Sequence, residues 1–258
     1  MKRSAAKLEY PRNQDVNNAY TIDTISFFKM VRSWGATMVG AGDVREGLAM
    51  EFSHLPAAIS LAIAHPPLRD SIIRKDSVSA YTNQFPAIDA SLEKIQKRIA
   101  SYLRSMGWKA FVIPPDTDKQ DPSFAARLFP LFPHKTGATC SGLGWVGKNG
   151  LLITREYGAR LSWGTVLTDA PLEVSARPYF KGECNSCNRC VRVCPAGAIK
   201  GREWRRDNSG EQLLDIEKCS QQLKRHKTVI GKAICAHCVT ACPVGNREDA
   251  NYFMEGGD

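Results

Sequence analysis

The chain has 258 residues, 43% of them hydrophobic, and a formal charge of +9. That length suits one large or two modest globular domains, and no stretch reaches the roughly 18 apolar residues that a membrane span needs. The N-terminus MKRSAAKLEYPRNQD is basic, but no apolar run follows it, so it does not read as a secretion signal, and a reducing, cytoplasmic setting is expected.

Residues 1–20 are polar and read as an irregular lead-in. Thr21 and Asp23 then open a helical pattern with Ile25, Phe28, Met30 and Val31 on one face, ended by Gly35. Ala36-Thr37-Met38-Val39 reads as a short buried strand, stopped by Gly40-Ala41-Gly42-Asp43. The apolar run Ala57 to Ala64, bounded by Pro56 and Pro66-Pro67, suits a central strand. A second helix follows, with Ile88, Leu92, Ile95, Ile99 and Leu103 at three- and four-residue steps and Gly107 as its cap. Ala110 to Ile113 is the next strand, closed by Pro114-Pro115. Helices alternating with buried strands point to the α/β (α+β) class. Residues 114–135 form a long polar connection, either a binding loop or a surface excursion.

Residues 142–150, GLGWVGKNG, satisfy both G-x-G-x-x-G and the G-x4-G-K of a P-loop. Both motifs need a helix next, so that phosphate meets its N-terminus, whereas Gly150-Leu151-Leu152-Ile153-Thr154 reads as a strand. Asn149 also stands where a P-loop needs Ser or Thr. Glycines this dense still imply a sharp turn or a close approach to a flat object, and Trp145 can pack against a large ring system.

The strongest signal is Cys184-x2-Cys187-x2-Cys190-x3-Cys194-Pro195, the spacing with which bacterial-type ferredoxins hold [4Fe–4S] clusters. Three thiolates two residues apart wrap one cubane, and the fourth points to a second cluster. A partner run, Cys235-x2-Cys238-x3-Cys242-Pro243, is one ligand short, and Cys219 upstream supplies it. The expected sets are Cys184, Cys187, Cys190 and Cys242 on one cluster, and Cys194, Cys219, Cys235 and Cys238 on the other. Structural zinc has no use for three such cysteines followed by Cys-Pro. Disulfides suit secreted chains, and c-type haem needs a His directly after C-x-x-C. Cys140 fits neither set and is read as a small core residue. Two oxidised clusters, at about −2 each with their thiolates, bring the formal +9 to about +5.

The runs HKTGATCSGLGWVGKNGLLI and EYGARLSWGTVLTDAPL, followed by the cysteine motifs with the displaced Cys219, resemble the epoxyqueuosine reductases. That family uses cobalamin and two [4Fe–4S] clusters to remove an epoxide oxygen from a modified tRNA base. The resemblance implies a cobalamin domain related to the flavin-type nitroreductases, over residues 1–178, and a ferredoxin-like double-cluster domain over 179–258. It further implies that Gly142, Leu143, Gly144, Trp145, Gly147, Lys148 and Asn149 line the corrinoid. No D-x-H-x-x-G surrounds His54, His65, His134, His226 or His237, so a His-ligated cobalt is not expected. The acidic D-[ST]-x-P-like motif of the reductases has no counterpart around Leu128. The proton donor is therefore unassigned, with Asp116, Asp118, Asp121 and His134 nearby.

Lys200, Arg202, Trp204, Arg205 and Arg206, then Lys224, Arg225, His226 and Lys227, interleave positive charge with an aromatic. Such a face suits tRNA or an acidic electron donor such as a ferredoxin or flavodoxin. The expected function is an iron–sulfur oxidoreductase passing electrons through two clusters to a corrinoid that reduces a substrate. The alternatives are a ferredoxin-like electron carrier or activator of a partner protein, and a flavin-dependent reductase on the same fold.

Overall fold

A computed structural model of the chain describes residues 22–66, 84–113, 132–207, 213–230 and 234–245. The lead-in at 1–20 and the aspartates of the long connection lie outside the described residues.

Helix α1 (Thr24–Ser33) starts where Asp23 caps it, its carboxylate accepting from the Ile25 and Ser26 backbone N–H groups at 3.1 and 3.3 Å. It ends at Gly35, in the left-handed region at φ 110°. The face it buries carries Thr24, Phe27 and Val31, and Ile25 is 64% exposed, which corrects the face expected from the sequence. Helix α2 (Phe85–Ser105) buries Leu92, Ile95, Ile99 and Leu103 as their spacing predicts, and Gly107 turns the chain at φ 89°.

The main sheet has the order β1-β2-β6-β3, from Met38–Asp43, Ala57–Ala64, Leu161–Thr168 and Ala110–Ile113, and every pairing in it is antiparallel. Strand β2 is central, as its unbroken apolar run requires. Helices α1 and α2 cover one face, where Phe27, Val31, Leu92 and Ile99 meet Val39, Ile59, Leu61 and Val166. The other face carries Ala58, Ile113 and Leu167 against Phe52, Phe132 and Cys140. The alternation of Ala58 with Ile59 across the faces is the two-residue period of a strand. The result is an α+β sandwich of helices on an antiparallel sheet.

Strand β1 does not stop at Gly40-Ala41-Gly42-Asp43 but runs through it. Helix α3 (His134–Cys140), which takes up the end of the expected long connection, packs across β1 and β2. A Cβ at Gly40 would come 3.1 Å from Leu143 Cδ2 and one at Gly137 would come 2.7 Å from Ser60 Oγ. The glycines act here as clearance for a helix rather than as a strand terminator.

Gln96 of α2 is fully buried at the sheet and donates through Nε2 to the Ile113 carbonyl and, at 2.8 Å, to that of Thr165. Gly164 makes room for it, since a Cβ there would meet Gln96 Cδ at 2.8 Å. Among the described residues, no helix is long and apolar enough to cross a membrane.

Candidate metal centre

The Gly-rich stretch folds as a two-stranded hairpin, β4 (Trp145–Val146) with β5 (Leu152–Ile153), in which Trp145 pairs with Ile153 and Val146 with Leu152. A strand follows the glycines, so neither nucleotide motif has the helix it needs. The glycines are filled from within the chain. A Cβ at Gly144 would lie 2.2 Å from the Ile153 carbonyl oxygen, and one at Gly147 would lie 2.8 Å from Ile153 Cγ1. At Gly142, with φ 68°, a Cβ would come 2.6 Å from Ser175 Oγ.

The far side of this hairpin meets the cysteine runs. Trp145, 2% exposed, packs with Ile153 and Ala159 against Tyr179, Cys184, Val239 and Cys242. Lys148 is buried, and its ammonium donates to the Asn185 carbonyl at 2.6 Å, the Cys187 carbonyl at 3.1 Å and Asn188 Oδ1 at 3.1 Å. Asn149 donates through Nδ2 to the Cys238 carbonyl at 3.3 Å, in the second run. Gly142 and Leu143 remain half-buried.

Two runs, one from each motif, adopt matching local shapes. Asn185 follows Cys184 at φ 47°, and Ala236 follows Cys235 at φ 57°; among the described residues these are the non-glycine positions in the left-handed region. Such a conformation costs an L residue about 1–2 kcal/mol. The same step in both runs turns the chain so that the next Cys doubles back. Each run then enters a short helix, α4 (Arg189–Val193) and α6 (His237–Thr240), and these two helices pack on each other. Between them in sequence comes α5 (Ile216–Ile230), which carries Cys219.

Cys184, Cys187, Cys190 and Cys242 line one pocket together with Lys148 and Asn149. Burial pushes the Cys242 thiol up to about 12; the Val244 backbone N–H opposes this, and Cys184, Cys187 and Cys190 add to it. Burial likewise pushes Cys238 up to about 12, with further contributions from Cys235, Cys190, Cys194 and Cys219. Burial, then Cys194, raises Cys219. The cysteines thus gather as two neighbouring groups, each drawing members from both ends of the segment.

The donors around the first group suit sulfur that carries negative charge. Burial raises the Cys184 thiol, the Lys148 backbone N–H and the Trp145 indole pull it down, and Glu203 pushes it up again. The Trp145 indole N–H is buried, and Cys184 Sγ is the acceptor it faces. A thiolate at Cys184 would strengthen that interaction. In the second group Cys194 Sγ accepts from the Ala198 backbone N–H at 3.3 Å, and His237 Nδ1 lies 3.2 Å from Cys235 Sγ. His226, Cys235 and His237 bring their ligand atoms within 4.8 Å of one another. Sequence reasoning weighed His237 only as a cobalt ligand, not as a neighbour of Cys235.

The rest of the site differs from a uniform basic face. Arg206 turns inward, donating to Thr139 Oγ1 at 2.8 Å, the Tyr179 carbonyl at 2.9 Å and Cys140 Sγ at 3.2 Å. Its guanidinium lies 5.5 Å from the Phe180 ring centroid and 5.7 Å from that of Trp204. His226 Nδ1 is 2.9 Å from the Ile234 carbonyl oxygen. Lys200, Arg202, Arg205, Lys224, Arg225 and Lys227 are exposed, and Arg205 pairs at the surface with Asp207 at 2.9 Å. Cys140 is buried in the sheet's core cluster. His134 is buried in α3 with Nδ1 2.8 Å from Thr165 Oγ1.

The seam between the cluster segment and the sheet is close. A Cβ at Gly158 would lie 2.1 Å from the Val244 carbonyl oxygen, and one at Gly245 would lie 2.5 Å from the Tyr157 carbonyl carbon. Arg160 Nη2 donates across it to the Gly245 carbonyl at 2.9 Å.

Residues 183–245 match a family described as a 4Fe-4S double cluster binding domain. Among curated proteins, the epoxyqueuosine reductase of Synechocystis sp. is 46% identical over 32% of this chain and 29% of its own length. That of Salmonella typhimurium is 28% identical over 76% of this chain and 47% of its own. The chain therefore spans less than half the length of the curated relatives it matches here. Among solved structures, an epoxyqueuosine reductase with a tRNA-Tyr epoxyqueuosine-modified stem loop shares the fold at TM-score 0.51 and 19% identity, over 87% of this chain and 66% of that one. A reductive dehalogenase whose structure suggests a mechanism for B12-dependent dehalogenation shares it at TM-score 0.58 and 19% identity, covering 86% of this chain and 32% of that one. Residues 183–245 thus match a double-cluster domain, and the chain is similar in sequence, over part of its length, to the epoxyqueuosine reductases.

Proposed function

We propose that the chain is an iron–sulfur oxidoreductase of the epoxyqueuosine reductase kind. Cys184, Cys187, Cys190 and Cys242 hold one [4Fe–4S] cluster, and Cys194, Cys219, Cys235 and Cys238 hold the other. The observation that carries this reading is the gathering of Cys242 with the first run in one pocket, away from its sequence neighbours Cys235 and Cys238. The division of labour is residues 1–178 for cofactor and substrate and 179–258 for the clusters, supported by β6 ending at Thr168 before the cysteines begin.

A corrinoid on this fold would supply a low-potential cobalt centre for reducing a bound substrate. Of the stretch 142–149, Gly142 and Leu143 are the half-buried members left to meet it, because Trp145, Lys148 and Asn149 serve the cysteine side. The chain's own part is to hold the clusters in apolar surroundings that exclude water, with Trp145, Val239 and Val244 around Cys184 and Cys242. The substrate class is a modified tRNA, supported by the relative bound to a tRNA stem loop and by the exposed Lys200, Arg202, Lys224, Arg225 and Lys227. An acidic ferredoxin or flavodoxin delivers the electrons to the same basic side.

The test is anaerobic purification with iron, sulfide and cobalt analysis and a visible spectrum after adding cobalamin. About eight irons per chain with stoichiometric corrinoid supports the reductase. The orientation of Trp145, Lys148 and Asn149 toward the cysteines favours one second reading, an electron carrier without a corrinoid. Eight irons with no cobalamin affinity would select that reading, and a bound flavin absorbance would select a flavin reductase.

A further inference from the structure

Lys148, which is buried, and Glu203, whose side chain is 34% exposed, form a pair of opposite charge beside the first group of cysteines. The Lys148 side chain is 6% exposed, and its ammonium lies 3.9 Å from Glu203 Oε1. All three of its strong contacts go to the loop that follows Cys184, namely Asn185, Cys187 and Asn188. Both Glu203 carboxylate oxygens are buried and complete no hydrogen bond. Gly182 packs against them so closely that a Cβ there would lie 2.2 Å from Oε2. The Lys148 ammonium, at 3.9 Å, is the opposite charge that faces this carboxylate. Glu183, which lines the pocket of the first group, is paired instead with the exposed Arg155 at 2.7 Å.

We propose that Lys148 and Glu203 are positioning residues that set, with opposite signs, the reduction potential of the cluster held by Cys184, Cys187, Cys190 and Cys242. The inference rests on the cluster reading above and extends it to the Gly-rich hairpin, whose Lys148 then tunes a metal centre rather than contacting a nucleotide. Reduction adds one electron to a cluster that is already anionic with its thiolates. A fixed ammonium in surroundings of low dielectric favours the reduced state, and a fixed carboxylate disfavours it. The two charges come from separate segments, the hairpin and the loop before Trp204. The potential therefore depends on the hairpin being seated against the cysteine loop.

The experiment is an anaerobic redox titration of the iron-loaded full chain, followed by electron paramagnetic resonance. Lys148→Met should lower one of the two cluster potentials by about tenfold in the reduction equilibrium constant, which is 59 mV for a one-electron couple. Glu203→Gln should raise the same potential by a similar amount, and Lys148→Arg should leave it near the wild-type value. The second potential should move far less. Shifts of the same sign in Lys148→Met and Glu203→Gln, or an unmoved potential in Glu203→Gln, would overturn the proposal. If Lys148→Met loses iron, Glu203→Gln alone decides. Too few irons in the wild-type chain would sink the cluster reading and this one with it, whereas about eight irons with unmoved potentials would sink this one alone.

Discussion

Gly42 of β1 lies so close to Cys140 that a Cβ on it would sit 2.4 Å from the Cys140 carbonyl carbon and 2.5 Å from the Ser141 nitrogen. Neither neighbour is the flexible end of a side chain, so the contact can be relieved only by moving α3 or β1. Gly42→Ala is expected to destabilise the chain by about 2–3 kcal/mol, in the range of overpacked cores. Gly107→Ala is the comparison: nothing lies within 4 Å of its Cβ position, and only its φ of 89° opposes a side chain. That substitution should cost about 1 kcal/mol. Denaturant midpoints of the two variants check the order.

Gln96 ties α2 to the carbonyls of Ile113 and Thr165 at the β3–β6 pair. Gln96→Leu keeps the volume and removes the donor, leaving both carbonyls without it. Burial makes the loss cost about 1–3 kcal/mol. Thermal unfolding should show it, and a variant as stable as the wild type would mean that those carbonyls find other donors.

Cysteine substitutions should divide by pocket. Cys242→Ser is expected to remove about half of the iron, because it takes one ligand from one of two clusters. Cys140→Ser, in the sheet core and outside both groups, should leave the iron content unchanged. Iron analysis of anaerobically prepared chains separates them, and equal losses in the two variants would break the assignment.

His65 is buried, with Nε2 2.9 Å from Ser162 Oγ and its ring against Phe85. Burial first, and then the charge of Arg160, bring its pKa down from 6.5 to about 4. The unfolded chain therefore binds this proton more readily than the folded one. Stability is unaffected above the unfolded value of 6.5, falls as pH drops from there, and levels off below about 4. The full loss is about 3 kcal/mol from this one group. His65→Gln should remove that part of the acid sensitivity, measured as the difference between wild-type and variant melting curves across the same pH range.

The double-cluster segment was legible because its chemistry is local: a cubane needs thiolates at short, fixed steps. Helix α2 was legible because its apolar residues leave one face only. Helix α1 was not, since Ile25, Phe27, Phe28 and Met30 spread apolar character around the cylinder, and only the tertiary contact to β1 selects Phe27 over Ile25. Gly40 and Gly42 read as a strand's end because nothing local announces a helix passing over them. Lys148 is the clearest case. Its sequence setting matches a phosphate-binding loop, but its partners, Asn185 to Asn188, lie in a distant segment that no short motif could name.

The facing glycines at 158 and 245 bear on what could be made from this chain. Their main chains meet with no side chain between them, and the Arg160 guanidinium reaches the Gly245 carbonyl oxygen at the same place. A miniature electron carrier excised from residue 179 onward would lose that wall together with the Trp145 hairpin, and Cys242 would face water where it now faces tryptophan. The cluster segment is therefore poorly suited to transplantation: the side that the hairpin closes would be left open to solvent.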